Sequence, residues 1–338
     1  MPDRPRLTPA IADVRRAVRG ALQGMPAGSL VLVALSGGPD SLALAAAAAF
    51  EAPRAGLRAG AVIVDHGLQS GSAQTAARAA EQADGLGLAP ILVERVQVSR
   101  RGGPESGARD ARYAAFETAM ADTGAAAVLL AHTLDDQAET VLLGLVRGSG
   151  AASLHGMAPA RGPYLRPLLG VRRTTTVQAC ADAGLDPWND PQNDDPAFSR
   201  VRMRRTVLPL LEAEFGPGVA EALARTAEQL REDADALDSF ADELAEDLAE
   251  HAEAGISLDV PALLANPRAL RQRLIRLAVS SEFGVALSRE QTLEVARLVT
   301  EWHGQKGVDL PGVRVVRRDG RLHFVSTVGE ARGTDGTA

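Results

Sequence analysis

The sequence predicts an α/β fold: a doubly wound, mostly parallel sheet followed by a smaller, mostly helical C-terminal region. Residues 30–35, 59–65 and 125–131 are near-continuous apolar runs of strand length, the pattern of strands buried on both faces. Segments of helical length separate them and a further strand at 90–98, which gives the βαβ rhythm. Aromatic residues make up only 3% of the chain, so Ala, Leu and Val must fill the core, as in helices packed on a parallel sheet.

Taken in order, residues 1–23 alternate arginine with small residues and lack the apolar core of a secretion signal. The strand at 30–35 runs into Ser36-Gly37-Gly38-Pro39-Asp40-Ser41, and an Ala/Leu-rich helix follows. A strand passing through two glycines into a helix N-terminus brings unpaired N–H groups up to phosphate. Pro39 suits the first helical turn, and Asp40 sets a carboxylate where Mg²⁺ would meet the phosphates. No Gly-Lys-Ser/Thr follows, which excludes the loop of γ-phosphate hydrolysis. The six residues resemble the pyrophosphate loop of the N-type ATP pyrophosphatases, or PP-loop enzymes, which split ATP between α and β.

The strand at 59–65 ends in Asp65-His66-Gly67, and the one at 125–131 ends in His132-Thr133-Leu134-Asp135-Asp136. Chemistry in doubly wound folds sits at such carboxyl ends. Between the third and fourth strands, Glu105, Arg109 and Arg112 fall on one face of a helix, either a surface ion pair or a clamp on negative charge. Ala138, Val141, Leu142 and Leu145 mark the buried face of a helix starting near Asp135, with Asp135, Asp136 and Glu139 off that face in its first turns. Acids beside a phosphate loop call for a cation, either Mg²⁺ or an amine-bearing substrate. His132 is the better acid/base or charge-stabilising candidate of the two rim histidines.

A helix at 174–183 leads into a polar loop at 187–199, and 200–211 restores a helical pattern carrying Arg200, Arg202, Arg204 and Arg205. A long helix spans 217–251, with Leu223, Leu230, Leu237 and Leu244 forming its stripe and acidic residues a solvated face. Helices at 261–281 and 288–302 precede a hairpin, 313–316 against 322–325, turned near Asp319-Gly320. The predicted division is an adenylation domain at 1–215, a helical region at 216–328 and a disordered tail at 329–338.

The formal net charge of −7 requires any nucleic-acid contact to use a local basic patch. Lys306 is the only lysine, so arginine supplies 35 of the 36 basic side chains. Cys180 is the single cysteine, which excludes an internal disulfide and Cys-x-x-Cys metal or redox sites. With no apolar run of membrane-spanning length, a soluble, cytoplasmic protein is expected.

Ser36–Ser41, Asp65-His66-Gly67-Leu68, Arg109, Arg112-Tyr113, the string from His132 to Thr140, Arg147-Gly-Ser-Gly150, Trp188-Asn-Asp190 and Arg200-Val-Arg-Met-Arg204 together resemble the tRNA(Ile)-lysidine synthetases. The resemblance implies a Rossmann-like PP-loop domain that adenylates C2 of the wobble cytidine in an isoleucine tRNA with a CAU anticodon. The side-chain amine of free L-lysine then displaces AMP. It implies that Ser36, Gly37, Gly38, Pro39, Asp40, Ser41, Asp65 and His66 bind ATP, with Asp40 on Mg²⁺ and Asp135 a second candidate ligand. Arg112 and His132 would assist adenylation beside Asp40, Asp136 and Glu139 would take lysine, and Arg200, Arg202, Arg204 and Arg205 would meet tRNA. It implies that the helical region at 216–328, with its terminal hairpin, binds tRNA, and a homodimer is compatible with it. The chain departs from the pattern at Gln69, Thr133 and Val201, in place of arginine, histidine and asparagine, and at Gly144 in place of arginine. The alternatives are a thiolase-type PP-loop enzyme, which needs cysteines the chain lacks, and a non-catalytic nucleotide-binding module, which needs no acids near phosphate.

Overall fold

The computed structural model describes residues 7–67, 71–97, 104–148, 151–188, 195–252 and 255–327. Contacts divide the chain into two compact units, Met1–Arg231 and Glu232–Ala338. That boundary falls within a long helix, while the change of sequence pattern lies at residue 215.

The first unit is built on a six-stranded sheet. Its strands are β1 (Leu30–Ala34), β2 (Arg58–Asp65), β3 (Ile91–Arg95), β4 (Ala127–Leu129), β5 (Ala160–Arg161) and β6 (Tyr164–Leu165). They lie in the order β3-β2-β1-β4-β6-β5, parallel except for the β5–β6 edge. Successive side chains of a strand point to opposite faces, and β1 uses both. Val31 and Val33 join the core under helices α1 (Pro9–Leu22), α2 (Pro39–Arg54) and α7 (Arg173–Asp182). Leu30 and Leu32 join a second core with Phe116 and Ala119 of α4 (Pro104–Thr123). Two covered faces explain the unbroken apolar run that predicted the sheet.

α1 escaped the sequence reading. Thr8 caps it and Pro9 opens it, yet its buried stripe is sparse, with Ile11, Val14, Val18 and Leu22 the larger side chains among arginines. The remaining elements of this unit are α3 (Ser72–Gly85), α5 (Leu134–Val146), α6 (Ala151–Leu154), α8 (Ser199–Arg202), α9 (Leu208–Phe215) and a 3₁₀ turn at Pro167–Gly170. Met203–Val207 forms a π turn between α8 and α9, where the sequence predicts one uninterrupted helix over 200–211.

Helix α10 (Val219–Leu248) begins in the first unit and ends in the second. It stops three residues short of its predicted end because β7 (Ala249–Ala252) follows directly. The predicted helix at 261–281 is two helices, α11 (Val260–Ala265) and α12 (Arg268–Phe283), interrupted where Pro267 takes the N-cap of α12. α13 (Arg289–Thr300) opens with a capping box from Ser288 and Gln291. The predicted hairpin is present as β10 (Val313–Arg318) and β11 (Arg321–Ser326), with Asp319 and Gly320 both at positive φ, as a type I′ turn requires. It lies within a five-stranded antiparallel sheet, β7-β8-β11-β10-β9, with β8 at Gly255–Asp259 and β9 at Val308–Leu310. Leu274, Ile275, Val295 and Leu298 of the helices pack with Val313, Val315, Leu322 and Phe324 of the sheet. The predicted tail at 329–338 lies outside the described residues.

Candidate functional site

The strand order reverses between β1 and β4, so the loops leaving their carboxyl ends diverge at a switch point, where open α/β sheets bind ligands. There an open cleft of about 500 Å³ is lined by the loop after β1, by Asp65 and His66, by Arg109, Arg112 and Tyr113 of α4, and by His132, Asp136, Arg173 and Arg204. Each of the three polar strand ends read from the sequence reaches this cleft.

Gly37 turns the loop with φ of +81°, a conformation that strains any side chain. Ser41 Oγ accepts from the Ser36 N–H at 3.2 Å and donates to Gly38 O at 3.0 Å, so the loop is braced on the first turn of α2. The Trp188 N–H donates to Gly37 O at 2.9 Å and closes it from the other side. Gly38 caps α2 without a side-chain bond and Pro39 occupies its first turn, which leaves N-terminal N–H groups for an anion.

Asp136 and Glu139 lie off the apolar face of α5 and are nonetheless buried. The Glu139 side chain is only 1% exposed and Asp136 is buried as well, because arginines from two other elements cover them. Arg173 donates from Nη2 to Asp136 at 2.6 Å, from Nη1 to Glu139 at 3.3 Å and from Nε to Asp40 at 3.2 Å. Arg204 donates from Nε to Glu139 at 2.8 Å and from Nη2 to Asp136 at 3.3 Å. Thr133 takes the capping position where a histidine is common: Asp136 accepts from its N–H and its hydroxyl, each at 2.8 Å.

These contacts set the charges. Burial pushes the Asp136 carboxyl up, but Arg173 and the Thr133 donors outweigh it and hold it below the usual range. At Asp40 burial wins over Arg173 and Thr176, so its carboxyl lies above the usual range. Burial also opposes the charge of Arg173, yet Asp136, Asp40 and Glu139 together raise its guanidinium above its ordinary range. Asp135 turns elsewhere: it accepts from the Arg173 N–H at 2.7 Å and pairs with Arg172 at 3.4 Å. Among the described residues no group of three or more His, Cys, Asp or Glu side chains is placed to hold a metal.

His66 and Arg112 approach at 3.5 Å. Burial and then Arg112 lower the His66 imidazole, and burial followed by Arg109 lowers Arg112. His132 is lowered to about 4, mainly by burial, and its Nδ1 is buried without a partner among the described residues. It is therefore a neutral imidazole at pH 7. Because the unfolded chain titrates near the ordinary histidine value of about 6.5, it binds the extra proton first. The stability contributed by neutral His132 is thus present above about pH 6.5 and is lost as pH falls towards 4, by about 3 kcal/mol at most. Urea unfolding at pH 7 and pH 4.5 checks this: His132→Gln should show a smaller acid loss than the parent, and an equal loss would remove the assignment.

The basic segment divides. Arg204 is turned inward onto Glu139, Arg200 is close enough to depress His132 and Arg112 further, and Arg202 donates to the carbonyls of Pro196 and Ala197. Arg205 also has interactions of its own. Sequence reasoning missed Arg173, Thr176 and Trp188, which hold Asp40 and the glycine loop, and Arg166, buried with its Nη2 donating to the Tyr113 hydroxyl at 3.4 Å. Trp188 belongs to the Trp188-Asn-Asp190 string; Arg173, Thr176 and Arg166 have no pattern around them to mark them. Gly144 has a packing reason, since a Cβ there would lie 2.8 Å from Ser153 O of α6. The side chain of Glu105, and Gln69, Asn189 and Asp190, lie outside the described residues.

Residues 13–211 match the family model described as a PP-loop domain, and residues 258–323 match the TilS substrate binding domain. The chain is 66% identical over 298 residues to the tRNA(Ile)-lysidine synthase of Leifsonia xyli subsp. xyli, covering 88% of this chain and 90% of that one. It is 55% identical over 318 residues to the tRNA(Ile)-lysidine synthase of Thermobifida fusca, covering 93% and 97%. Its fold is similar to that of the U34-tRNA thiolase NcsA from Methanococcus maripaludis, with a TM-score of 0.56 and 19% identity over 66% of this chain and 79% of that one. That thiolase carries a [4Fe-4S] cluster, for which the single cysteine here, Cys180, offers no ligand set. With a PP-loop domain over most of its first unit and such identity along nearly its whole length, the chain belongs to the tRNA(Ile)-lysidine synthase family.

Proposed function

We propose that the protein is a tRNA(Ile)-lysidine synthase that adenylates the wobble cytidine of an isoleucine tRNA with a CAU anticodon and joins the side-chain amine of free L-lysine to it, releasing AMP and pyrophosphate. One observation carries the reading: a phosphate-type glycine loop and Asp136 line the same cleft, Glu139 is buried directly behind Arg173 and Arg204, and Arg173 joins Asp40 of the loop to both acids. The loop suits the triphosphate, and the acids suit an ammonium group.

In this reading Ser36 to Ser41 cradle the pyrophosphate of ATP, and Asp65 and His66 line the same cleft. Asp65 is well suited to stay ionised, since bonds from Ser72 and the Gly67 N–H hold its carboxyl below the usual range. Arg112 supplies positive charge where adenylation develops negative charge, and neutral His132 offers a hydrogen bond without repelling Arg112. Mg²⁺ is commonly bound by one or two carboxylates together with substrate phosphates. Asp40 fits that pattern at the first turn of α2, and the ion would supply charge neutralisation on the leaving pyrophosphate. Asp135 does not fit, because, unlike Asp40, it is not among the residues that line the cleft, and it faces Arg172 and the Arg173 N–H instead. Among the described residues no helix is long and apolar enough to cross a membrane, which accords with a cytoplasmic site of action.

The test is incorporation of labelled lysine into purified isoleucine tRNA, with pyrophosphate release followed in parallel. Lysine-dependent label that requires both ATP and a cytidine at the wobble position is the expected result. Pyrophosphate release without lysine transfer would overturn the choice of nucleophile, and label on a tRNA lacking that cytidine would overturn the choice of acceptor.

A further inference from the structure

The acid pair assigned to the amine is already filled by the protein itself. Two guanidinium groups, from Arg173 and Arg204, face the carboxylates of Asp40, Asp136 and Glu139. An entering ammonium finds no vacant acid there, and adding it beside both arginines would crowd like charges at contact distance. One arginine has to leave, and the structure distinguishes the two. Arg173 is bound to three carboxylates through its side chain and to Asp135 through its N–H, and its side chain is 20% exposed. Among the described residues the Arg204 guanidinium pairs with two carboxylates, Glu139 and Asp136; its side chain is 30% exposed and it sits on the π turn at Met203–Val207. A π turn holds one residue more per turn than the α-helices flanking it, and such turns recur at functional sites. Relaxing it to α register would rotate Arg204 away from Glu139 without unfolding α8 or α9.

We propose that Arg204 is the internal occupant of the amine site and decides when lysine enters. With no tRNA bound, its guanidinium takes the place of the substrate ammonium on Glu139 and Asp136. Phosphates of an incoming tRNA offer Arg204 a competing anion, and the vacated acids then accept the amine. The exchange replaces one positive charge by another, so the charge of the pocket is conserved. Arg204 is therefore a specificity residue with two partners in succession: it excludes amines until the acceptor is in place, and afterwards it contacts the acceptor. The proposal rests on the reading of Asp136 and Glu139 as the lysine site.

The experiment measures L-lysine binding to the full chain by equilibrium dialysis, without ATP so that no chemistry intervenes, with and without an isoleucine tRNA transcript. For the parent protein, tRNA should tighten lysine binding by about tenfold or more, the scale of one charge-assisted hydrogen bond. Arg204→Gln should bind lysine that tightly without tRNA and gain little from it, whereas Arg204→Lys, which keeps a cation in place, should remain close to the parent. Parent protein whose lysine affinity ignores tRNA overturns the proposal, whatever the variants do. So does an Arg204→Gln protein that binds lysine no better, or worse, since Arg204 would then merely brace the acids. Glu139→Gln separates the two levels: if it leaves lysine binding intact, the acid pair is not the amine site. If it abolishes lysine binding while Arg204→Gln changes nothing, the site stands and the gate falls.

Discussion

Asp40→Ala should slow AMP transfer by about 10²–10³, the usual scale for removing one group that stabilises charge in the transition state. Asp40 stands in the first turn of α2, beside the loop that would hold the pyrophosphate, and its carboxyl is kept in place by Arg173 and Thr176. A divalent cation bound there would also reverse the upward push that burial gives the carboxyl. The measurement is single-turnover release of pyrophosphate at saturating tRNA, with thermal unfolding to confirm that the variant is folded. Asp40→Asn, which preserves shape and can still accept from Thr176, should be nearly as slow. If a folded Asp40→Ala protein reacts at close to the parent rate, Asp40 neither holds the metal nor stabilises the leaving group.

Glu139→Gln should raise the lysine concentration needed for half-maximal rate by roughly 10–150-fold, the worth of one charge-assisted hydrogen bond of about 1.5–3 kcal/mol. The ATP requirement should move much less. The split between the two substrates is the informative part, because Glu139 also accepts from Arg173 and Arg204 and its loss could loosen the whole cluster. A general loosening would raise both requirements together. Steady-state rates with lysine and ATP varied in turn decide between them, and a shift confined to ATP would move Glu139 to the metal side of the cleft.

What was legible in the sequence follows from what each element needs. β1 had to be apolar on both faces because helices cover both, so its run is continuous and easily read. β7 and β9, read as Ala-Glu-His-Ala and Val-Asp-Leu, are too short and too polar to show a strand period, and only pairing with β8 and β10 makes them strands. The break before α12 was marked by Asn266-Pro267, although the helical pattern on both sides obscured it. In the cleft, glycines, acids and histidines sat in compact strings that carry their own meaning. Arg173 and Thr176 reach Asp40 from more than a hundred residues away. Long-range ion pairing of this kind leaves no local period. Spacing alone put Asp136 and Glu139 outside the apolar stripe but could not show that both are buried, which their pairing with arginine allows.

The permanent cations among the residues lining the cleft are all guanidinium. Arg112, Arg173, Arg204 and Arg109 line the cleft, and the chain's one lysine, Lys306, belongs to the second unit. A guanidinium stays protonated throughout the physiological range and has no free electron pair to give, and the acids that embrace Arg173 strengthen that hold. On the proposed reaction, the cleft must shelter an activated cytidine carbon that any neutral amine would attack. A lysine side chain in the position of Arg204 would place an amine, nucleophilic when unprotonated, in the lining of that cleft. Arginine delivers the same positive charge in a form that is chemically inert, so the enzyme can guard the electrophile without becoming its product.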